Sequence, residues 1–425
     1  MNVFPQEKKL PNGVRIITAN VKTVDFIHFE IISKIGSGME RLENQGITHL
    51  IEHLLLSCSS IYTETHIFKR TIEENGGVFN GSTSQNSTRF YIKVPKTEFN
   101  FGMDFILEIL KTSTLNRKVL EEQIKVISSE QADTVSKFGR DFYYRMRARY
   151  WGNNHPYALD TLGVPTILET FSEETLLNYM LELLNPRNIT VLLVGNFEAT
   201  QLDKLLYNLN LLSSSLRVES SYYPTDVFSY GINETFNEPA CKNMLVSASI
   251  PLKKYNSLDP ETILYNAFVS DALTKTLREE LRGKKNLLYS LRSFISRITP
   301  GLFWYRVEFS ATAGTIEDTI AILFERWKQV NISGINAKEF SHYKKMAINS
   351  YMLRNQSDFD KAMAYCIDLA DYGHYTPDED LLQLKKHLTN EMVNHILNEE
   401  YKPEQANLYV YGDMTDKKLD LGRLR

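Results

Sequence analysis

The two halves of this 425-residue chain end alike, and that restricts its folds more than any other feature. Asn188 to Phe197 reads as a buried apolar strand that turns at Gly195-Asn196, and Asn407 to Asp413 as a second strand that turns at Gly412-Asp413. What precedes each strand also matches. In the first half, Leu10-Pro11-Asn12-Gly13 is a turn opening a strand, and Phe26 to Ile35 is a second strand. Helical periodicity then covers Thr65 to Glu74, Phe99 to Leu110, Arg117 to Lys137 and Glu173 to Leu184. In the second half, strands over Lys242 to Ile250, Ser290 to Ile298 and Trp304 to Ala311 surround a helix over Tyr265 to Arg282. Helices over Ile316 to Gln329, Ala337 to Tyr351, Asp358 to Asp371 and Asp378 to Leu397 follow. Two α+β units of about 200 residues each imply an internal duplication. The expected fold is α+β, two α/β-sandwich domains, each a mixed sheet with helices packed on it. We place the first domain at 1–210, a linker at 211–233 and the second domain at 234–425.

Within the first unit, Gly46 to Leu56 contains His49-Leu50-Ile51-Glu52-His53. On a helix, His49 and His53 stand one turn apart on one face with Glu52 beside them. Two imidazoles so spaced can share one metal ion, leaving the carboxylate within reach of water. The order inverts the commoner His-Glu-x-x-His zinc motif. Thr48 is positioned to cap this helix, and its apolar residues to seat it in a core.

A third ligand must come from elsewhere. On the helix from Arg117, Glu121 shares a polar face with Lys125 and Ser128, whereas Glu130 falls in phase with Gln123, Val126 and Ile127. A carboxylate on that inward face is costly unless paired or bound to metal, so Glu130 is the natural third ligand and Glu122 its rival. Gln123, two turns earlier on the same face, would support a ligand from behind. Val78 to Ser84 and Thr88 to Pro95 read as two strands joined by a polar turn. The first is rich in small polar residues, as suits an open sheet edge with which an extended peptide backbone can pair.

Composition narrows the partners. With 43% hydrophobic and 24% charged residues, the chain is ordinary globular material. A net charge of −4 gives no reason to expect nucleic acid or an anionic membrane as partner. The basic cluster from Arg140 to Arg149 is expected to be a solvated helix face. Three cysteines (Cys58, Cys241 and Cys366) without a C-x-x-C pair favour a reducing, cytoplasmic setting, with Cys58 structural. No apolar signal stretch is expected in Met1 to Leu10, and no run is long enough to span a bilayer.

Taken together, these residues resemble the pitrilysin/insulinase family of inverted-motif zinc metallopeptidases, in the single-length branch of mitochondrial processing peptidase-like and small bacterial enzymes. The similarity runs through Leu10 to Arg15, Gly46 to Leu56, Gly76 to Ser84, His155-Pro156-Tyr157 to Gly163, and Val194-Gly195-Asn196. The resemblance implies one Zn2+ per chain held by His49, His53 and Glu130, with Glu52 as catalytic base. It implies a substrate strand at Phe79, Asn80, Gly81 and Ser82. Glu130 lies 77 residues beyond His53, where the family places its third ligand. Two positions depart from the pattern: Gln123 replaces a usual glutamate, and Gly81 replaces a usual alanine without altering a backbone donor. Arg282 and Tyr289 keep the spacing of the family's catalytic Arg/Tyr pair.

The fold so implied is half of a clam-shaped chamber. Arg282 and Tyr289 would then serve the zinc site of another subunit, in a homodimer or, alternatively, a heterodimer with a related zinc-less subunit. The function implied is a zinc-dependent endopeptidase acting on short or unfolded peptides, in the manner of a processing or leader-peptide protease. The alternative is a non-catalytic peptide-binding subunit.

Overall fold

The computed structural model describes residues 4–57, 65–111, 115–132, 134–213, 230–252, 259–288, 291–299, 302–354, 357–416 and 418–424. The chain forms two compact units, Met1–Lys137 with Arg147–Tyr223 and Asn355–Tyr375, and Phe138–Met146 with Pro224–Arg354 and Thr376–Arg425. Each unit thus takes one segment from the opposite half of the sequence. Most of the expected linker, 214–229, lies outside the described residues, as does Cys58.

The first unit is built on strands β1 (Gln6–Lys9), β2 (Arg15–Asn20), β3 (Phe26–Ser33), β4 (Val78–Thr83), β5 (Thr88–Pro95) and β6 (Ile189–Gly195). Their order across the sheet is β1-β2-β6-β3-β5-β4. Only β2 and β6 run parallel, with Arg15 opposite Thr190; the other neighbours are antiparallel. Every residue of β6 is buried, because both faces of the sheet are covered. Ile189, Val191 and Leu193 point into the main core, and Leu192 and Val194 into a smaller cluster on the opposite face. Helices α1 (Ile47–Leu55), α3 (Phe99–Leu110) and α4 (Arg117–Ala132) contribute to the main core, as does Ile72 of α2 (Thr65–Glu74). The opposite face is closed by the helix Asp358–Tyr372, whose Ala362, Cys366 and Leu369 pack on Ile17, Ala19 and Leu192. It is fastened by Arg89, whose Nη2 donates to both oxygens of Asp371 at 2.7 Å.

The second unit repeats this plan with β7 (Asn233–Asn237), β8 (Met244–Leu252), β9 (Leu291–Thr299), β10 (Leu302–Ala311) and β11 (Asn407–Gly412). The order is β7-β11-β8-β10-β9, with β7 and β11 parallel and the other pairs antiparallel. In chain order and direction this is the topology of β2 to β6, so the duplication inferred from the sequence is present strand for strand. One face of this sheet is packed by Phe142 and Met146 against Cys241, Tyr409 and Tyr411. Tyr143 Oη donates to both oxygens of buried Glu308 at 2.6 Å. The basic cluster of Arg140 to Arg149 is therefore not a solvated face throughout: its interleaved aromatics are the residues that bury.

Candidate metal centre on an open sheet edge

Helix α1 is buried along almost its whole length, so its entry into the core must satisfy its first N–H groups. The side chain that does so is Glu40, not Thr48. The Gly46 N–H donates to Glu40 Oε2 at 2.7 Å and the Thr48 N–H to Oε1 at 2.9 Å. The Thr48 hydroxyl pairs with Tyr179 Oη at 2.9 Å. Glu40 has no exposed surface, and burial pushes its carboxyl up to about 7 against these hydrogen bonds. Gly46 is left-handed (φ 88°), and a Cβ there would lie 2.4 Å from the Cα of Gly163. Only a glycine pair lets the loop before residue 165 press on the start of α1. The same loop is held to the end of α4, where Gln131 Nε2 donates to the carbonyls of Gly163 at 2.7 Å and Leu162 at 3.2 Å. One loop thereby sets the start of the motif helix against the end of the helix that carries Glu130.

The result brings three donors together. His49 Nε2 stands 4.0 Å and His53 Nε2 3.7 Å from the Glu130 carboxylate, and the candidate ligand atoms all lie within 4.8 Å of one another. Ligand atoms around a tetrahedral zinc are about 3.3 Å apart, so a small contraction would bring them to it. The second nitrogen of His53 is already committed: Nδ1–H donates to Gln123 Oε1 at 3.2 Å. That contact fixes the tautomer that presents Nε2 as a lone-pair donor. Burial, reinforced by the charge of His53, lowers the His49 imidazole to about 4, so it is neutral and able to ligate. These residues fit a divalent ion with two imidazoles and one carboxylate.

Glu130 reaches the site by a different route from the one its periodicity indicates. Its side chain is 43% exposed rather than sealed among apolar residues. The buried stripe of α4 is Val119, Gln123 and Ile127. Gln123, Val126 and Glu130 line a cavity of about 840 Å³. Phase assigned the face correctly, but what covers that face is open space. Glu122, the alternative ligand, is exposed and does not line the cavity.

The cavity is also lined by His49, Glu52, His53, Lys69 and residues 79–83 of β4. Among the described residues β4 is the outermost strand and pairs only with β5, Phe79 facing Ile92 and Gly81 facing Phe90. Its residues alternate between exposed and half-buried, leaving the second row of backbone groups for another strand. Glu52 is 7% exposed; burial raises its carboxyl, and a hydrogen bond from Thr83 opposes that rise. The Thr83 contact, like the role of Glu40, had no signal in the sequence: the first joins a strand to a helix 31 residues away, and the second is made by a loop glutamate outside any periodic pattern. Arg282 is exposed in a wide helical turn, Glu279–Lys284, of the second unit. Tyr289 lies outside the described residues.

Among the described residues, no helix is long and apolar enough to cross a membrane. Residues 15–162 match the family description "Insulinase (Peptidase family M16)", and residues 170–347 match "Peptidase M16 inactive domain". An uncharacterized zinc protease of Rickettsia felis is 23% identical over 400 residues, covering 92% of both chains. The uncharacterized zinc protease YmxG of Bacillus subtilis is 23% identical over 355 residues, 81% of this chain and 83% of that one. In fold, the first half of the periplasmic protease PqqL from Escherichia coli superposes with a TM-score of 0.81 at 16% identity, over 99% of this chain and 95% of that one. With these similarities added to the duplicated sheets and the His-His-Glu cluster, the chain belongs to the insulinase family of peptidases, family M16.

Proposed function

We propose that the protein is a zinc-dependent endopeptidase that hydrolyses short or unfolded peptides, as a processing or leader-peptide protease would. One observation carries the reading: the three candidate ligands, a buried carboxylate and a strand edge left unpaired among the described residues all line one cavity. His49, His53 and Glu130 would hold one zinc ion, which when bound supplies a Lewis acid that polarises a carbonyl and acidifies water. An extended peptide would add to the free edge of β4 along Phe79 to Ser82, so a folded protein without an extended segment is excluded. Glu52 takes a proton from the attacking water as the water oxygen bonds to the carbonyl carbon. When the C–N bond breaks, Glu52 returns that proton to the leaving amine. Arg282 and Tyr289, supplied by a second subunit, would steady the substrate and the developing oxyanion.

We further propose a homodimer in a reducing, cytoplasmic compartment. Both halves of the machinery lie on one chain, and Cys241 and Cys366 are buried free thiols. A second reading, a peptide-binding subunit that does not cut, draws on Gln123, which stands where the resemblance implies a glutamate. Digestion of a peptide library by the zinc-loaded protein separates the two. Cleavage that is lost in Glu52→Gln while zinc content stays at one per chain supports the enzyme. Peptide binding without cleavage by the unaltered protein refutes it.

A further inference from the structure

Glu52 is held by the strand along which a substrate would lie. Alternate residues of β4 share a face, and Phe79, Gly81 and Thr83 are the half-buried members of the strand. Phe79 packs edge-on against Phe105, with ring centroids 5.9 Å apart. At Gly81 an added Cβ would lie 2.7 Å from Glu52 Oε1 and 2.5 Å from Leu56 Cδ1, so the missing side chain is what admits the carboxylate against the strand. Two residues on, Thr83 Oγ1 donates to Glu52 Oε2 at 2.9 Å. A carboxylate has two oxygens and rotates about its last bond unless one of them is fixed. Here Oε2 is fixed, and Oε1 is turned to the space that Gly81 leaves beside the cavity.

We propose that Thr83 is the positioning residue for Glu52: its hydroxyl clamps Oε2 so that Oε1 is the oxygen that takes the proton from water. The consequence is that the strand binding the peptide also aligns the base. A shift of β4 that misplaces the peptide misplaces Glu52 with it, so only a peptide seated in register meets an aligned base. This inference rests on the peptidase reading above.

The test is Thr83→Val, which keeps the branched shape and removes the donor, set beside Thr83→Ser, which keeps the donor. On a peptide that the unaltered enzyme cuts, Thr83→Val is expected to lower kcat about tenfold with KM within about twofold. Thr83→Ser should recover most of that loss. Zinc content should be equal in all variants. A Thr83→Val kcat within about twofold of the parent overturns the proposal, and so does a serine variant as slow as the valine one. A crystal structure of Thr83→Val gives a readout independent of cleavage: the Glu52 carboxylate should leave its place against β4, and an unmoved carboxylate overturns the clamp. If the unaltered protein cuts nothing, the peptidase reading fails, and the crystal structure still decides whether Thr83 holds Glu52.

Discussion

Replacing Glu40 by glutamine should reshape how stability depends on pH, and the size of the effect follows from two buried groups, one in the loop before α1 and one on it. Glu40 has its carboxyl raised from 4.5 to about 7, chiefly by burial. Between those values the folded chain holds a proton that the unfolded chain has lost, so the Glu40 contribution is fully present below 4.5 and is lost as pH rises toward 7. A shift of about 2.5 units corresponds to roughly 3 kcal/mol. His49 acts in the opposite direction: burial, then the neighbouring His53, lowers it from 6.5 to about 4. Its neutral form favours folding above pH 6.5, and that advantage is lost as pH falls toward 4. In the unaltered protein the two slopes largely cancel. In Glu40→Gln the Glu40 slope is gone and the opposing histidine slope is unmasked, while the amide oxygen still accepts from one of the two N–H groups. Urea unfolding of the metal-free proteins at intervals from pH 4.5 to 7.5 is the assay, since bound zinc would add its own pH dependence. The stability difference between variant and parent should move by roughly 3 kcal/mol in favour of the variant as pH rises through this window. A difference that stays flat, or one that moves the other way, would refute Glu40 as a charge buried at the start of α1.

Two further perturbations probe other parts of the first unit. Gln123→Leu removes the acceptor of the His53 Nδ1–H and should weaken zinc binding about 10- to 100-fold in competition with a chromophoric chelator; unchanged affinity would show that the ring needs no such support. Arg89→Met removes the cation shared by Glu30 and Asp371 and should destabilise the protein by about 2 kcal/mol, discounted from a fully buried pair because Arg89 is 23% exposed. A urea midpoint equal to the parent's would mean that the apolar contacts alone hold the helix Asp358–Tyr372 on its sheet.

The parts of this molecule that the sequence discloses are those decided over a few residues. The run of Ile189 to Val194, apolar but for Thr190, announces a strand buried on both faces, and its counterpart near the end of the chain discloses the duplication. His49 and His53 are four apart on a helix, so their convergence needs only the local backbone. The strand β1, Gln6-Glu7-Lys8-Lys9, carries no such mark: all four residues are exposed, and it is held by backbone pairing to β2. The helix Asp358–Tyr372 has a legible apolar stripe, but nothing in a stripe says which of two similar sheets will bury it. Glu130 shows the same limit from the other side. Periodicity gave its direction, while its partner is an open cavity bounded by residues from distant elements, and no periodic pattern encodes a void. Glu40 is more extreme, because a glutamate in a polar loop is ordinarily solvated. Here it is fully buried and turns its carboxylate to the Gly46 and Thr48 N–H groups at the start of α1. The chemistry of this site is therefore written locally in the motif, whereas the state of its charges is set by tertiary contacts. For that reason the pH response of Glu40 and the clamp on Glu52 test the structure in ways that the motif alone does not.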